Sequence, residues 1–203
     1  MFLKVVINSI MNYDIDAACN WLQDKLTNKR YQHSLSVMKT SVELAERFGA
    51  ELKKAEYAGL IHDCAKGMTH QELMDSCNKC HIEIDEVCMV QSELLHGAVS
   101  AGIAQCVFNV DDEDILNAIR YHTTGRKGMS ILEKIIYVSD LIEPYREFPG
   151  VYEIRKAACN DLDGAVLKGI EFSLKRVIGR GNMIHPDSIN AWNDMLRKQK
   201  VGY

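Results

Sequence analysis

Residues 31–48 read "YQHSLSVMKTSVELAERF", and the order of those side chains decides the fold class. Leu35, Met38, Val42 and Ala45 recur at three- and four-residue spacing, the interval that lines one face of an α-helix. A strand would alternate apolar with polar residues, and no stretch of β-branched residues does so cleanly between turn signals. The helical rhythm returns over about 14–27, 51–65, 70–78, 93–108, 112–122, 131–143, 151–159, 162–178 and 187–197. The expected fold is therefore all-α. Pro144, Pro149 and Pro186 all fall between these segments, where a missing amide donor costs least.

Local signals agree with the periodicity. Thr69 followed by Glu72 has the pattern of a capping box, and Gly67 before it suits the left-handed conformation that ends a helix. "IHDCAK", residues 61–66, is then expected as the last turn of the helix 51–65. The acidic run Asp111, Asp112, Glu113 and Asp114 belongs at the positive end of the next helix dipole, a start signal more than a metal site.

The 203 residues, 47% of them hydrophobic, suffice for one sizeable core and are short for two. A single domain over 1–203 is expected, its core at about 28–180, with an N-terminal helical extension and a C-terminal helix. A net charge of -4 argues against a broad grip on nucleic acid but allows a local basic pocket for a small polyphosphate. No apolar run approaches the roughly 20 residues that span a bilayer. The opening "MFLKVVINSIMNY" carries a Lys, turns polar by residue 8 and lacks a small-residue cleavage site, which points to the cytoplasm. Seven cysteines, an odd number spread through helical patterns, fit reduced thiols in a reducing compartment.

Against this apolar background a few polar residues stand out. His62 and Asp63 are adjacent, so on a helix their side chains diverge by about 100° and cannot both face a pure core. His33 lies inside "RYQHSLSVM", His96 opens "HGAVSAGI", His122 closes "ILNAIRYH", and Asp140 sits in "IIYVSDLIEPYR". Any one alone reads as a hydrogen-bonded core or boundary residue. Four His and two Asp on successive helices are harder to dismiss, because imidazole and carboxylate suit first-row metals such as iron or manganese.

In that order, these residues resemble the extended ligand set of the HD-domain metal-dependent phosphohydrolases. The stretches "HDCAKG", "LLHG", "YHTTGR" and "DLIEPYREFPGV" look more closely like the YqeK-type bacterial HD proteins, which are symmetrical diadenosine tetraphosphate hydrolases with a two-iron site. The likeness runs from about Arg30 to the "IHPDSINAWN" tail. It implies an HD-domain helical bundle in which His33, His62, Asp63 and Asp140 hold one metal ion, His96 and His122 hold the second, and Asp63 bridges. It also implies two metal ions, expected to be iron, with manganese or another divalent metal as substitutes. The implied reaction is attack of a metal-activated water that splits diadenosine tetraphosphate at its centre into two ADP. The partners are that nucleotide and its product, with no nucleic acid and no membrane, and a homodimer is allowed for.

Further residues are read as touching substrate. Lys66 lies three positions beyond Asp63, on nearly the same helix face, where its ammonium would neutralise phosphate oxygens in the transition state; Asp63 and Lys66 are the catalytic pair. Arg30, one turn before His33, and Arg146, beyond Pro144, offer bidentate guanidinium donors, though either could be an ordinary salt-bridge partner. Thr123, Thr124 and Arg126 after His122 suit a phosphate-facing turn, and His96, His122 and Asp140 complete the substrate-facing set.

"CNKCH", residues 77–81, matches the covalent haem pattern, and Cys77, Cys80, His81 and Cys88 hint at zinc. Without an export signal or a second ligand pair, coincidence and packing are the better reading. Cys64 is expected to be a small buried hydrophobe, and His70, His81 and His185 structural. Two rival functions stay open: an HD-domain phosphohydrolase acting on another nucleotide, such as a nucleoside di- or triphosphate, and a non-catalytic metal-binding helical module. A cyclic-dinucleotide phosphodiesterase is disfavoured because no Gly-Tyr-Pro follows any ligand.

Overall fold

The periodicity is realised helix by helix in a computed structural model that describes residues 13–201. The reading of the first residues as free of an export leader rests on 1–12, which lie outside the described residues. The helices are α1 (Ile15–Lys25), α2 (Asn28–Phe48), α3 (Leu52–Ile61), α4 (His70–Lys79), α5 (Glu86–Val90), α6 (Leu95–Cys106), α7 (Glu113–Arg120), α8 (Ile131–Ile142), α9 (Val151–Ala157), α10 (Leu162–Gly179) and α11 (Pro186–Val201). No strand occurs among the described residues, and none of their helices is long and apolar enough to cross a membrane.

The caps explain where several helices begin. Thr69 and Glu72 bond reciprocally in the expected capping box of α4, and Asp112 caps α7, with Glu113 and Asp114 in its first turn. Asp112 also pairs with Lys54 at 2.7 Å, which ties the start of α7 to α3. The short α5 was not legible in the sequence. Five residues are too few for a periodic signal, and the helix is started by Asp85, whose carboxylate accepts from the amides of Val87 and Cys88.

One boundary difference bears on the polar cluster. The helix expected over 51–65 ends at Ile61, and His62 to Gly67 form tight turns. The amide of Cys64 bonds the carbonyl of Ile61 and that of Lys66 bonds Asp63, three-residue closures in place of four. "IHDCAK" is thus a tightened exit from the helix, which helps His62 and Asp63 face one site. Gly67, at φ +100°, ends it.

α2 packs along α3 and α8, while α7 packs on α3, α6 and α8, so the inner helices share one core. Leu44, Leu60, Ile61, Ile115, Ile119, Ile135 and Ile136 fill it, each at most 2% exposed. A smaller cluster of Leu73, Cys77, Cys88, Leu95 and Val99 joins α4, α5 and α6. Two glycines set the spacing. A Cβ on Gly59 would lie 3.0 Å from the α2 backbone at Met38, and one on Gly97 would lie 2.6 Å from the Arg120 carbonyl at the end of α7. Beyond α8, α9 and α10 pack on it and α11 packs on α10.

Candidate metal centre

Three of the four histidines of interest are oriented by their own helices. His62 Nδ1 donates to the Gly59 carbonyl at 2.8 Å, His122 Nδ1 to that of Ile119 at 2.7 Å, and His96 Nδ1 to that of Glu93. A carbonyl only accepts, so each Nδ1 carries the proton and each Nε2 presents a lone pair. The fourth, His33, places Nδ1 3.2 Å from the Glu143 carboxylate and Nε2 3.0 Å from Asp140 Oδ1.

The lone pairs converge on two carboxylates. Asp63 Oδ1 lies 3.3 Å from His96 Nε2 and 3.4 Å from His122 Nε2, while its Oδ2 lies 3.9 Å from His62 Nε2. His62 Nε2 is also 3.9 Å from Asp140 Oδ1. The ligand atoms of His33, His62 and Asp63 lie within 4.8 Å of one another, and so do those of Asp63, His96 and His122. Asp63 belongs to both groups and turns one oxygen to each half, which is the geometry a bridging ligand needs.

A cation fits this arrangement on physical grounds. His62 Nε2 and Asp63 Oδ1 are buried with no hydrogen-bond partner, a cost a folded chain rarely bears without a purpose. His96 Nε2 and His122 Nε2 stand 3.1 Å apart, two lone pairs face to face unless a proton or cation lies between them. Burial pushes the His62 imidazole down to about 3 and lowers His96 as well, so these rings stay neutral and available to a metal. Burial would raise the Asp140 carboxyl, but the His33 hydrogen bond and the Arg146 charge outweigh it and hold it below its usual range.

Cations surround the cluster. Lys66 Nζ lies 2.9 Å from His96 Nε2 and 4.0 Å from Asp63 Oδ1, with its own pKa lowered by burial. Arg30 Nη1 reaches to 3.8 Å from Asp63 Oδ2. Arg146 bonds the Asp140 carboxylate and, at 2.8 Å, the Asp140 carbonyl. The HD domain family model matches residues 30–145, more than half of the chain and a span that includes all six converging His and Asp residues.

The chain belongs to the HD domain family.

Its relatives point the same way. It is 43% identical to a protein of Bacillus subtilis named bis(5'-nucleosyl)-tetraphosphatase, symmetrical, over 90% of this chain and 97% of that one. A Staphylococcus aureus protein of the same name is 38% identical over 81% of this chain and 84% of that one. A crystal structure from Clostridium acetobutylicum, of a predicted HD superfamily hydrolase involved in NAD metabolism, superposes with a TM-score of 0.89 at 44% identity. It covers 92% of this chain and 98% of that one.

Two further residues that brace the cluster became visible only in three dimensions. Glu143, 2% exposed, holds His33 and also accepts from the Tyr145 amide at 2.8 Å. Arg155 donates to the carbonyls of Ile142, Glu143 and Arg146, filling the acceptors left open at the end of α8 and fixing the turn that presents Arg146. No motif marks either residue, since their partners are distant in sequence or are backbone atoms.

Thr123 Oγ1 lies 3.2 Å from His96 Nε2 and 3.1 Å from His122 Nε2, and with Thr124 it lines a cleft of about 370 Å³ that runs on past Arg120, Tyr121 and Ala98. Arg126 is the exception to the convergence. Its fork is filled by buried Glu133, at 2.7 and 2.6 Å, and its guanidinium lies over the Tyr121 ring, so it braces the start of α8. Cys77, Cys80 and His81 do not come together as a ligand group among the described residues. Cys64 is buried, its thiol directed at the Ser100 carbonyl.

Proposed function

We propose that the chain is a two-metal hydrolase that cleaves diadenosine tetraphosphate symmetrically into two ADP in the cytoplasm. The observation that carries the reading is the Asp63 carboxylate, which turns one oxygen to His62 and the other to His96 and His122. The names of the Bacillus subtilis and Staphylococcus aureus relatives support the substrate. His33, His62, Asp63 and Asp140 would hold one ion, and His96 and His122 would hold the second with Asp63 shared. Imidazole with carboxylate suits first-row metals, iron first and manganese as a substitute. When bound, such a pair supplies an activated water and charge neutralisation at the phosphoryl group.

The chain's own residues do the rest. Lys66, three residues beyond Asp63 and packed on His96, is placed to neutralise an oxygen of the phosphoryl group under attack. Arg146, fixed on its turn by Arg155 beside Asp140, and Arg30, beside Asp63, bring positive charge to the flanking phosphates. Thr123 and Thr124 carry the polyphosphate from the centre into the cleft, which has room for one nucleoside half. The leaving ADP departs as a stabilised diphosphate, so no strong general acid is required. Iron-loaded chain incubated anaerobically with diadenosine tetraphosphate should give ADP alone; ATP with AMP, or no turnover, contradicts the proposal.

A further inference from the structure

The cleft carries a second group of ligand atoms that the metal centre does not use. Asp85, Cys88 and His185 each offer one, all within 4.8 Å of one another, and all three residues line the cleft. Asp85 and Cys88 bracket the start of α5, and His185 stands just before α11. Asp85 Oδ1 is fixed by the amides of Val87 and Cys88 at 2.8 and 2.9 Å, which leaves Oδ2 directed at His185 Nε2, 2.9 Å away. The buried Cys88 thiol lies within 4.8 Å of the same carboxylate. Gln91 holds the two segments in register, its side chain bonding the Met183 amide at 2.7 Å and the Met183 carbonyl at 3.1 Å. The trio is therefore assembled and braced from outside its own members.

We propose that Asp85 Oδ2, Cys88 Sγ and His185 Nε2 bind a borderline-soft divalent cation of the zinc class, with a fourth position open to the cleft. Carboxylate, thiolate and imidazole together are a zinc ligand set, and three protein ligands leave one site free. The mixed set differs from the His and Asp centre in one decisive atom, the sulfur.

The protons balance. In the metal-free trio His185 Nδ1 accepts from the Asp187 amide at 3.1 Å, so Nε2 carries the ring proton and donates to Asp85. On binding, that proton moves to Nδ1, which lies 3.7 Å from Asp187 Oδ2, so the Asp187 carboxylate becomes its acceptor. The Cys88 thiol gives its proton to solvent. One proton leaves per cation bound, and binding tightens as pH rises.

The test is a titration of the full-length, metal-free chain with cobalt(II) under anaerobic conditions. It reads bound metal per chain and the near-ultraviolet charge-transfer absorption that only a thiolate-bound cobalt gives. The His and Asp centre contains no sulfur, so filling it adds no such band. A saturating band is expected in the wild type and in His62→Ala, and it should vanish in Cys88→Ser. Asp85→Asn keeps the α5 cap through its amide oxygen, and it and His185→Ala should weaken the band's cobalt affinity at least tenfold. Absence of the band in the wild type, or its persistence in Cys88→Ser, overturns the proposal. If Cys88→Ser does not fold, unchanged affinity in Asp85→Asn and His185→Ala overturns it. Because the readout is sulfur-specific, failure of the hydrolase reading would leave this result untouched.

Discussion

At the scale of single residues, the centre depends on which ring nitrogen carries a proton. Glu143 holds Nδ1 of His33 while Asp140 faces Nε2, a carboxylate-histidine pairing of the kind that orients a metal ligand. Glu143→Ala should weaken metal binding about 10–100-fold in chelator competition, and Glu143→Gln, which keeps an acceptor, should recover much of it. Equal affinity in all three proteins would remove Glu143 from the centre. Protonation also sets stability. His62, lowered to about 3 by burial, and His96, lowered too, stay neutral in the fold, whereas in the unfolded chain they titrate near 6.5. Below that value the unfolded state takes up protons the folded state refuses, so stability falls with acid. His33 acts in the opposite sense: although burial opposes it, the Asp140 hydrogen bond and charge raise its pKa, and that contribution is lost as pH rises through the raised value. Two groups against one give the sign. The melting temperature of metal-free chain should drop between pH 7 and pH 5; a flat or rising profile contradicts the assignment of buried neutral rings. The six His and Asp residues that converge were conspicuous in the sequence, because His and Asp stand out on apolar helices. Glu143 was not, because a glutamate beside Pro144 looks like ordinary turn chemistry.

At the scale of elements, the two halves of the centre are brought together by close helix approach. Gly97 follows His96 and meets the carbonyl of Arg120, two residues before His122. In Gly97→Ala the added carbon would sit 2.6 Å from that oxygen, so α6 and α7 must separate. The expected cost is about 1–3 kcal/mol in denaturant unfolding, with weaker occupancy of the half formed by His96 and His122. Unchanged stability and metal content would show that the contact is not what sets the spacing. Helix periodicity made ten segments readable. It failed at α5, too short to carry a period, and at the end of α3, where three-residue closures tighten "IHDCAK" without any change in composition. Arg126 shows a further limit: in sequence it suits a phosphate-facing turn, and only the fold places Glu133 in its fork.

At the scale of the whole molecule, one core positions a centre built from α2, the turn after α3, α6, the end of α7 and α8. The family match stops at residue 145, yet α9 bears on the site through Arg155, and the entry to α11 lines the cleft through His185 and Asp187. The overall class was readable from spacing alone, whereas the cleft was not, since its walls come from positions about 100 residues apart that share no motif. The decisive step of the proposed reaction is symmetrical attack by water at an inner phosphorus. It is tested by hydrolysing diadenosine tetraphosphate with metal-loaded chain in ¹⁸O-labelled water and reading the products by mass spectrometry. The expected product is ADP alone, half of it carrying one labelled oxygen on its terminal phosphate. ATP with AMP, or ADP without label, would contradict it.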